Sequence, residues 1–368
     1  MAKGQVYPSE KREFHDPETG TPVIQLTKWR GHSHHLYFTT SSFLPGGREV
    51  VFAGDRDNRR NLFKVDLASG EIVQLTEGRG GVDGHGVCTS RARREVIFFE
   101  GRELKGVDAD TLAERTIYRV PETHLAGLPS ASGDGRLVAF AEGTDRGWRT
   151  GPQYQGFARM MEESPPTTIR VVETDTGRNW AAYEDPAWCG HVNISPVRPD
   201  LICYCHEGPW EMVKQRMWIV TAEGSTRYAL RPQDENDAVG HEYWLSDGER
   251  VAFHNWRKGE GHRMGWIRFD NADQHEFPFP DGSGHFQSNS DNSLQVGDGS
   301  AGEPYLLLWR IEGEVGAARK LVRHGSSFHI QEAHPHPVFS PDDRWVLYTS
   351  DATGYCNVYL ARVEREEG

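Results

Sequence analysis

The sequence predicts an all-β fold, a seven-bladed β-propeller that forms a single domain over residues 1–368. Three observations predict it. Short apolar strand patterns recur seven times, helical periodicity is nearly absent, and an N-terminal segment copies the last strand of a repeat unit. Radial repetition of small antiparallel sheets is the all-β arrangement that such a pattern favours, because it leaves few strand edges exposed.

Each repeat unit consists of a short first strand, a turn with glycine or aspartate, an apolar second strand and two further strands. The first copy has strands at residues 37–43, 50–53, 62–66 and 72–76. The apolar second-strand pattern then returns at residues 96–99, 137–140, 201–204, 251–254, 294–296 and 346–348. This count predicts seven blades.

The last unit, which begins near residue 336, has no fourth strand of its own. Residues 23–27, Val-Ile-Gln-Leu-Thr, are a near copy of the fourth strand Ile-Val-Gln-Leu-Thr at residues 72–76. We therefore expect the N-terminal strand to complete the last blade. This pairing would close the ring and cover a strand edge that otherwise promotes aggregation.

The composition of the chain argues against several kinds of binding partner. The net charge is -13 with both signs interspersed, which disfavours nucleic acid. Five cysteines, an odd number without a Cys-x-x-Cys pair, argue against a disulfide framework and a zinc knuckle. No apolar run suits a signal peptide or a membrane span. The sequence predicts a soluble, cytoplasmic protein without a membrane partner.

A histidine stands at or just before the first strand of each predicted blade. These histidines are His35, His85, His124, His191, His241, His285 and His336. Their intervals run from 39 to 51 residues, except for 67 residues between His124 and His191, which predicts an insertion there. First strands line the channel of a propeller, so we expect a ring of imidazoles at one face. Hydrogen bonding to neighbouring backbone is the simpler interpretation of His85, His124 and His191.

Gln331, His334 and His336 lie within one short run whose two prolines favour an extended backbone. Alternate residues of an extended segment project to the same side, so these side chains can face one point. His285 belongs to the neighbouring blade. Three imidazoles and an amide oxygen suit Mn²⁺ or another divalent ion, with zinc as the alternative on the ligands alone. Solvated loop histidines are the competing interpretation.

The predicted insertion, residues 142–168, is a loop of the third blade on the same face. It carries arginines and aromatic residues suited to covering a sugar and pairing with its carboxylates, although an ordinary solvated loop explains any one of them as well. These residues are Arg146, Trp148, Arg149, Tyr154, Phe157 and Arg159. We expect substrate contacts from His35, Arg146, Arg149 and His206.

Four motifs occur in order across four blades. They are Cys-His-Glu-Gly-Pro-Trp at 205–210 with Gln-Arg at 215–216, Gly-His-Glu-Tyr-Trp at 240–244, Gly-His-Phe-Gln-Ser at 284–288, and Gln-Glu-Ala-His-Pro-His-Pro at 331–337. In these motifs the sequence resembles the oligogalacturonate lyases, seven-bladed propeller enzymes of pectin breakdown, over residues 23–363.

The resemblance implies a cytoplasmic enzyme that cleaves short oligogalacturonides, chiefly digalacturonate, by β-elimination. It implies Mn²⁺ held by His285, Gln331, His334 and His336. It also implies His241 as the base and Arg216 as the arginine that binds the substrate carboxylate.

Uronate chemistry explains these residue types. The hydrogen on C5 lies beside a carboxylate and is a very weak acid until that charge is neutralised. A divalent cation and the Arg216 guanidinium would neutralise it. A neutral imidazole, with an ordinary pKa of about 6.5, can then remove the proton near neutral pH. We expect His241 to do so, and loss of the C4 oxygen would give a 4,5-unsaturated uronate.

Two alternatives stay open at this point. One is a lyase acting on another uronate oligosaccharide, which would differ in the loop at residues 142–168. The other is a non-catalytic, TolB-like propeller that serves as a binding module. Hydrolysis through a serine nucleophile is disfavoured, because the sequence has no Gly-x-Ser-x-Gly motif. We expect Glu207 and Glu242 to orient neighbouring site residues.

Overall fold

Seven antiparallel sheets, each a blade of a β-propeller, make up the structure. It is a computed structural model that describes residues 2–78, 80–147, 155–279, 282–311 and 318–364. The prediction of an all-β, seven-bladed propeller is confirmed.

Blade one contains β1 (Val6–Tyr7), β4 (Ser33–His35), β5 (Glu49–Gly54), β6 (Asn61–Asp66) and β7 (Ile72–Gln74), and blade two contains β8 (Val87–Thr89), β9 (Glu95–Glu100), β10 (Glu103–Asp108) and β11 (Glu114–Arg119). Blade three contains β12 (His124–Ala131), β13 (Leu137–Thr144), β14 (Thr167–Glu173) and β15 (Asn179–Asp185), and blade four contains β16 (Cys189–Ile194), β17 (Leu201–His206), β18 (Met217–Thr221) and β19 (Arg227–Ala229).

Blade five contains β20 (Asp237–Trp244), β21 (Arg250–Arg257), β22 (Gly261–Arg268) and β23 (His275–Pro278), and blade six contains β24 (Phe286–Ser288), β25 (Leu294–Gly297), β26 (Tyr305–Arg310) and β27 (Arg319–Arg323). Blade seven contains β28 (Val338–Phe339), β29 (Trp345–Ser350) and β30 (Asn357–Arg362), together with the N-terminal β2 (Arg12–His15) and β3 (Pro22–Gln25). Inner strands of successive blades contact each other, as in β8 with β12, β12 with β16 and β24 with β28.

The ring closes as predicted, through an N-terminal strand. Strand β3 pairs with β30, with Val23 opposite Ala361. Two further pairings extend this closure. Strand β2 adds to the outer side of β3, and β1 pairs with β7 at the outer edge of blade one. The N-terminal segment thus joins the outer edges of the first and last blades.

The apolar second strands form the core between blades. A second strand has a neighbouring blade on each of its faces, so both sets of alternating side chains are buried and the sequence is continuously apolar. Val96, Ile97, Phe98 and Phe99 of β9, for example, are all buried. Phe98 packs in one cluster with Val51 of blade one.

The predicted first strand of blade one, at residues 37–43, is wrong except at its end, where Phe43 bridges to Val50 of β5. The strand that pairs with β5 is β4, four residues earlier. After β4 the chain leaves the sheet and places two buried rings, Tyr37 and Phe38, among the inner strands. Their centroids lie 5.0 and 6.2 Å from the ring of His336. Burial of these two aromatic rings in the channel stabilises the structure here, and the chain does not continue as a strand.

The third-blade insertion is shorter than the predicted loop, because β13 continues to Thr144 and β14 begins at Thr167. The connection carries α1 (Phe157–Glu163), the single α-helix among the described residues. Within the described part of the chain, no helix is long and apolar enough to cross a bilayer. All five cysteines are buried, free thiols.

Candidate active site and metal centre

Three imidazoles converge where blades six and seven meet. His285 precedes β24, while His334 and His336 lie between a short 3₁₀ turn, Gln331–Ala333, and β28. Each of these imidazoles offers one ring nitrogen such that all three lie within 4.8 Å of one another. The side-chain amide nitrogen of Gln331 is 3.3 Å from Nε2 of His336. A half-turn of that amide brings its oxygen, the atom that binds a cation, toward the same point.

The charge state of this cluster suits a cation. Burial and the neighbouring His285 ring lower the pKa of His334 to about 4 and that of His336 well below its ordinary value. Both rings are therefore neutral at pH 7, which is the form that binds metals. The donor set, three neutral nitrogens and one amide oxygen, fits a divalent transition metal.

Asp298 orients the third imidazole. Nδ1 of His285 donates to Oδ2 of Asp298 at 2.7 Å, which leaves Nε2 as the nitrogen that can bind a cation. The other carboxylate oxygen accepts from the backbone N–H groups of Gly284 and His285 at 2.9 and 3.0 Å. Burial would raise the pKa of Asp298, but the contacts with His285 hold it below its ordinary value. Asp298 thus supplies a fixed negative charge behind the cluster.

The turn that carries Gln331 is held from blade one. Nη1 of Arg60 donates to Oε1 of Glu332 at 2.8 Å, while its Nε donates to Asp55 at 3.0 Å. The ring of His35 is buried, and its Nε2 donates to the backbone carbonyl of Pro335 at 3.0 Å. His35 therefore contacts the backbone of the run that carries the metal-ligand candidates. The structure does not place it on the cavity described below.

His241 lies beside this cluster on blade five. Its ring centroid is 4.6 Å from that of His285 and 5.0 Å from that of Trp210. The residue has a left-handed backbone, φ 54°, at a bulge of β20. Gly240 makes room for the packing, because a Cβ there would lie 2.6 Å from the Trp210 ring.

The electrostatic surroundings of His241 favour the neutral ring. Burial, reinforced by the rings of His285 and His254, lowers the pKa of His241 well below its ordinary value. Its Nδ1 is buried and has no hydrogen-bond partner among the described residues. A protonated ring would leave a buried charge beside two other imidazoles, so the neutral form is the stable one.

Arg216 is buried between blades four and five and is held by two carboxylates. Its Nε donates to Glu242 at 3.1 Å, and its two terminal nitrogens face Glu242 and Glu207, each at 3.4 Å. Three of the five guanidinium N–H groups are used in this way, which leaves one on each terminal nitrogen. Glu207 also approaches Nε2 of His191 at 3.3 Å. The expectation that Glu207 and Glu242 orient site residues agrees with these contacts.

A cavity of about 950 Å³ lies beside these groups. Its polar wall includes His191, Arg216, His241, His285 and Gln331. An aromatic wall is formed by Phe157, Trp188 and Trp210. Phe157, from the third-blade insertion, packs edge-on against Trp188 with their centroids 4.9 Å apart. A pocket of this size and mixed lining suits a short oligosaccharide.

Two further predicted substrate contacts, His206 and Arg146, fall elsewhere. The His206 ring is absent from the described cavity lining, because the next residue, Glu207, faces Arg216 and His206 projects from the other side of the strand. His206 instead pairs with Asp185 at 3.0 Å. Arg146 is exposed and also absent from that lining. Arg149 lies outside the described residues, as do Trp148 and Tyr154.

The expected ring of seven histidines is broken in blade three. The bulge position of the first strand, with positive φ, is occupied by His191 in blade four, by His241 in blade five and by Leu128 in blade three. His124 lies at the start of β12, opposite Thr144, and its ring contacts Thr123. The spacing of histidines cannot reveal a bulge, which is why His124 was assigned wrongly.

The backbone-capping interpretation of His191 is also wrong, since its ring faces Glu207 in the cavity. The His85 ring lines the cavity too and stacks on His34 at 5.7 Å between centroids. Asp298 and Arg60 were missed. A signal for Asp298 was available, because it directly follows the second strand of the blade that carries His285, and adjacent antiparallel strands bring such positions together.

Comparisons with known proteins agree with this geometry. The oligogalacturonide lyase of Pectobacterium atrosepticum (strain SCRI 1043) is 28% identical over 386 residues, covering 99% of this chain and 98% of the relative. The oligogalacturonate lyase of Dickeya dadantii (strain 3937) is also 28% identical, with the same coverage.

Two solved structures are similar along their whole length. An oligogalacturonate lyase in complex with manganese has a TM-score of 0.92 and 29% identity, and the match covers 99% of both chains. An oligogalacturonate lyase from Vibrio parahaemolyticus has a TM-score of 0.91 and 31% identity, with 99% of both chains covered. The family model described as oligogalacturonate lyase matches residues 1–366. The chain therefore belongs to the oligogalacturonate lyase family.

Proposed function

We propose that the protein is a metal-dependent lyase that cleaves short oligogalacturonides, chiefly digalacturonate, by β-elimination to give a 4,5-unsaturated uronate. The observation that carries the proposal is that His285, one of three converging imidazoles, lines the same cavity as the His241 ring and the Arg216 guanidinium. Membership of the family supports the same activity.

His285, Gln331, His334 and His336 would hold the divalent cation, Mn²⁺. Support comes from their convergence, from the neutral rings of His334 and His336, and from the manganese in a related solved structure. When bound, the cation supplies Lewis acidity toward the C6 carboxylate of the substrate.

Arg216 would bind the same carboxylate. Its two remaining N–H groups sit on different terminal nitrogens and form a fork, the geometry that pairs with both oxygens of a carboxylate. Glu242 and Glu207 fix the plane of the guanidinium before substrate arrives. The fixed fork then orients the carboxylate and stabilises the charge that develops on it when C5 loses its proton.

His241 would be the base that removes the C5 proton. The role requires a ring that is neutral at working pH and close to the bound carboxylate. The lowered pKa of His241 and its position between Trp210 and His285 support this. General base catalysis of this kind contributes about 10²- to 10⁴-fold to a rate.

The aromatic wall formed by Phe157, Trp188 and Trp210 would pack against a sugar face, and the cavity volume favours short chains. Substrate contacts from Arg146 stay part of the proposal, because the same insertion contributes Phe157 of α1 to the cavity. The cytoplasm is the proposed location. Five free thiols suit a reducing compartment.

A direct test uses purified protein stripped with a chelator and then reloaded with Mn²⁺. We expect digalacturonate to produce the absorbance of a conjugated double bond with Mn²⁺ and not without it. Glucuronate and mannuronate oligomers serve as competitors for specificity. Product formation that is equal with and without metal, or a preference for another uronate, would contradict the proposal.

A further inference from the structure

Two histidines occupy equivalent places in adjacent blades and face the same cavity. His191 in blade four and His241 in blade five each follow a glycine, lie at the bulge of a first strand, and have φ angles of 43° and 54°. Of these two histidines, only His241 has a role in the reaction proposed above. We propose that His191 is the catalytic acid that protonates the departing C4 oxygen. This inference rests on the proposed lyase function.

The contact with Glu207 carries the inference. Nε2 of His191 lies 3.3 Å from Oε1 of Glu207, and only 15% of the His191 side chain is exposed. Because a carboxylate can only accept, this contact favours a hydrogen on Nε2, and Nδ1 is then the nitrogen that would pass a proton to substrate.

Glycine makes this pairing possible. A Cβ on Gly190 would lie 2.2 Å from Oε1 of Glu207, so a side chain there would displace the carboxylate from His191. The other oxygen of Glu207 faces Arg216 at 3.4 Å. The Glu207 carboxylate therefore contacts both Arg216, which would bind the substrate carboxylate, and His191, which would act on the oxygen at C4.

The two imidazoles differ in their surroundings. His241 packs on Trp210 and His285, and the adjacent carboxylate, Glu242, is directed at Arg216. His191 faces a carboxylate directly. The charged or titratable groups around His191 include Tyr37, Glu207, Glu242 and His241, and also Arg216, which shares the Glu207 carboxylate. Two like groups placed in opposite environments are the usual arrangement of an acid and a base.

Substrate stereochemistry requires two separate groups. In the galacturonate chair the C4 oxygen and the C5 hydrogen are both axial and lie on opposite faces of the ring. A single imidazole cannot reach both. The C5 proton passes to His241, its bonding electrons form the C4–C5 double bond, and the C4–O electrons go to oxygen, which takes a proton from His191. Solvent then returns a proton to His191 and removes one from His241.

The test compares leaving groups that differ in their need for a proton. The substrates are digalacturonate, whose leaving group is a sugar hydroxyl, and 4-deoxy-4-fluorogalacturonate, whose fluoride leaves without protonation. The variants are His191→Gln and His241→Gln. His275→Gln is the matched control, because His275 is an exposed residue on an outer strand.

We expect His191→Gln to lose about 10²- to 10³-fold on digalacturonate and less than about threefold on the fluoride. His241→Gln should lose activity on both, and His275→Gln on neither. Manganese affinity and the melting temperature of His191→Gln should match wild type. Equal losses on both substrates, or no loss on either, would overturn the assignment of His191. A wild-type protein inactive on digalacturonate would instead refute the lyase function itself.

Discussion

The Asp298 carboxylate accepts a hydrogen bond at 2.7 Å from Nδ1 of His285 and so directs the opposite ring nitrogen toward His334 and His336. It does so while fully buried. The carboxylate fixes the tautomer and the orientation of an imidazole that would otherwise rotate, and its charge strengthens that imidazole as a donor to a cation.

Replacing this carboxylate should weaken metal binding without unfolding the protein. We expect Asp298→Asn to lower Mn²⁺ affinity by about 10- to 100-fold, measured by competition with a chelator. Asp291→Asn is the control, since Asp291 is an exposed turn residue in the same blade. Unchanged affinity in Asp298→Asn would mean that His285 needs no carboxylate to hold its orientation.

The pair formed by Arg60 and Glu332 should contribute to metal affinity by holding the turn that carries Gln331. A double-mutant cycle with Arg60→Met and Glu332→Gln should show a coupling of about 1 kcal/mol in the free energy of Mn²⁺ binding, roughly fivefold in affinity. Glu332→Gln also removes a charge near the cation, so the effect of this single substitution on Mn²⁺ affinity has two causes. The coupling energy between the two substitutions isolates the contribution of the ion pair. Strict additivity would show that blade one does not hold the turn.

Three equivalent glycines allow a matched test of packing beside the cavity. A Cβ on Gly190 would lie 2.2 Å from Glu207, and one on Gly240 would lie 2.6 Å from Trp210, while around Gly127 no described atom lies within 4 Å. Gly190→Ala and Gly240→Ala should each lower the free energy of unfolding by about 1–3 kcal/mol in urea denaturation. Gly127→Ala should change it by less than about 0.5 kcal/mol. Similar values for all three would contradict this packing.

Asp185 should stabilise the fold in a pH-dependent way. Burial acts to raise its pKa, but hydrogen bonds from His206, Ala187 and Tyr204 lower that pKa from 3.8 to about 2. Its ionised form is therefore favoured by folding. This stabilisation is complete above about pH 4 and is lost as pH falls toward 2.

Asp185→Asn should accordingly reduce the free energy of unfolding by about 2 kcal/mol at pH 7. The difference from wild type, followed by urea denaturation at several pH values, should shrink between pH 4 and pH 2. A difference that stays constant, or grows, as pH falls through this range would show that the carboxylate charge is not what stabilises this cluster.

Much of the fold follows from the sequence because of one physical feature. Second strands such as β9 are covered on both faces, so their apolar runs are continuous and easy to count. The N-terminal copy of a fourth strand, now β3, predicted the closure for a similar reason. The convergence of Gln331, His334 and His336 was predicted from an extended run, but the run is not extended. Gln331–Ala333 is a 3₁₀ turn and His336 has a φ of 45°, so short sequence separation is what brings the three together.

Other features depend on contacts that spacing does not encode. A bulge in β12 places Leu128, not His124, at the position equivalent to His241, and a bulge leaves no mark in the interval between histidines. The side of the strand on which His206 lies depends on register, so a shift of one residue moves it from the cavity to Asp185. Tyr37 is not part of a strand, because its ring packs among the inner strands, with its centroid 5.0 Å from that of His336.

The central claim is that metal binding and proton removal belong to separate residues, with His241 only the base. The most direct measurement is the turnover of digalacturonate by His241→Ala at saturating Mn²⁺, with the metal content of the same sample determined by elemental analysis. We predict one equivalent of bound Mn²⁺ and a rate about 10²- to 10⁴-fold below wild type. A variant that binds the metal and keeps the wild-type rate would contradict the claim.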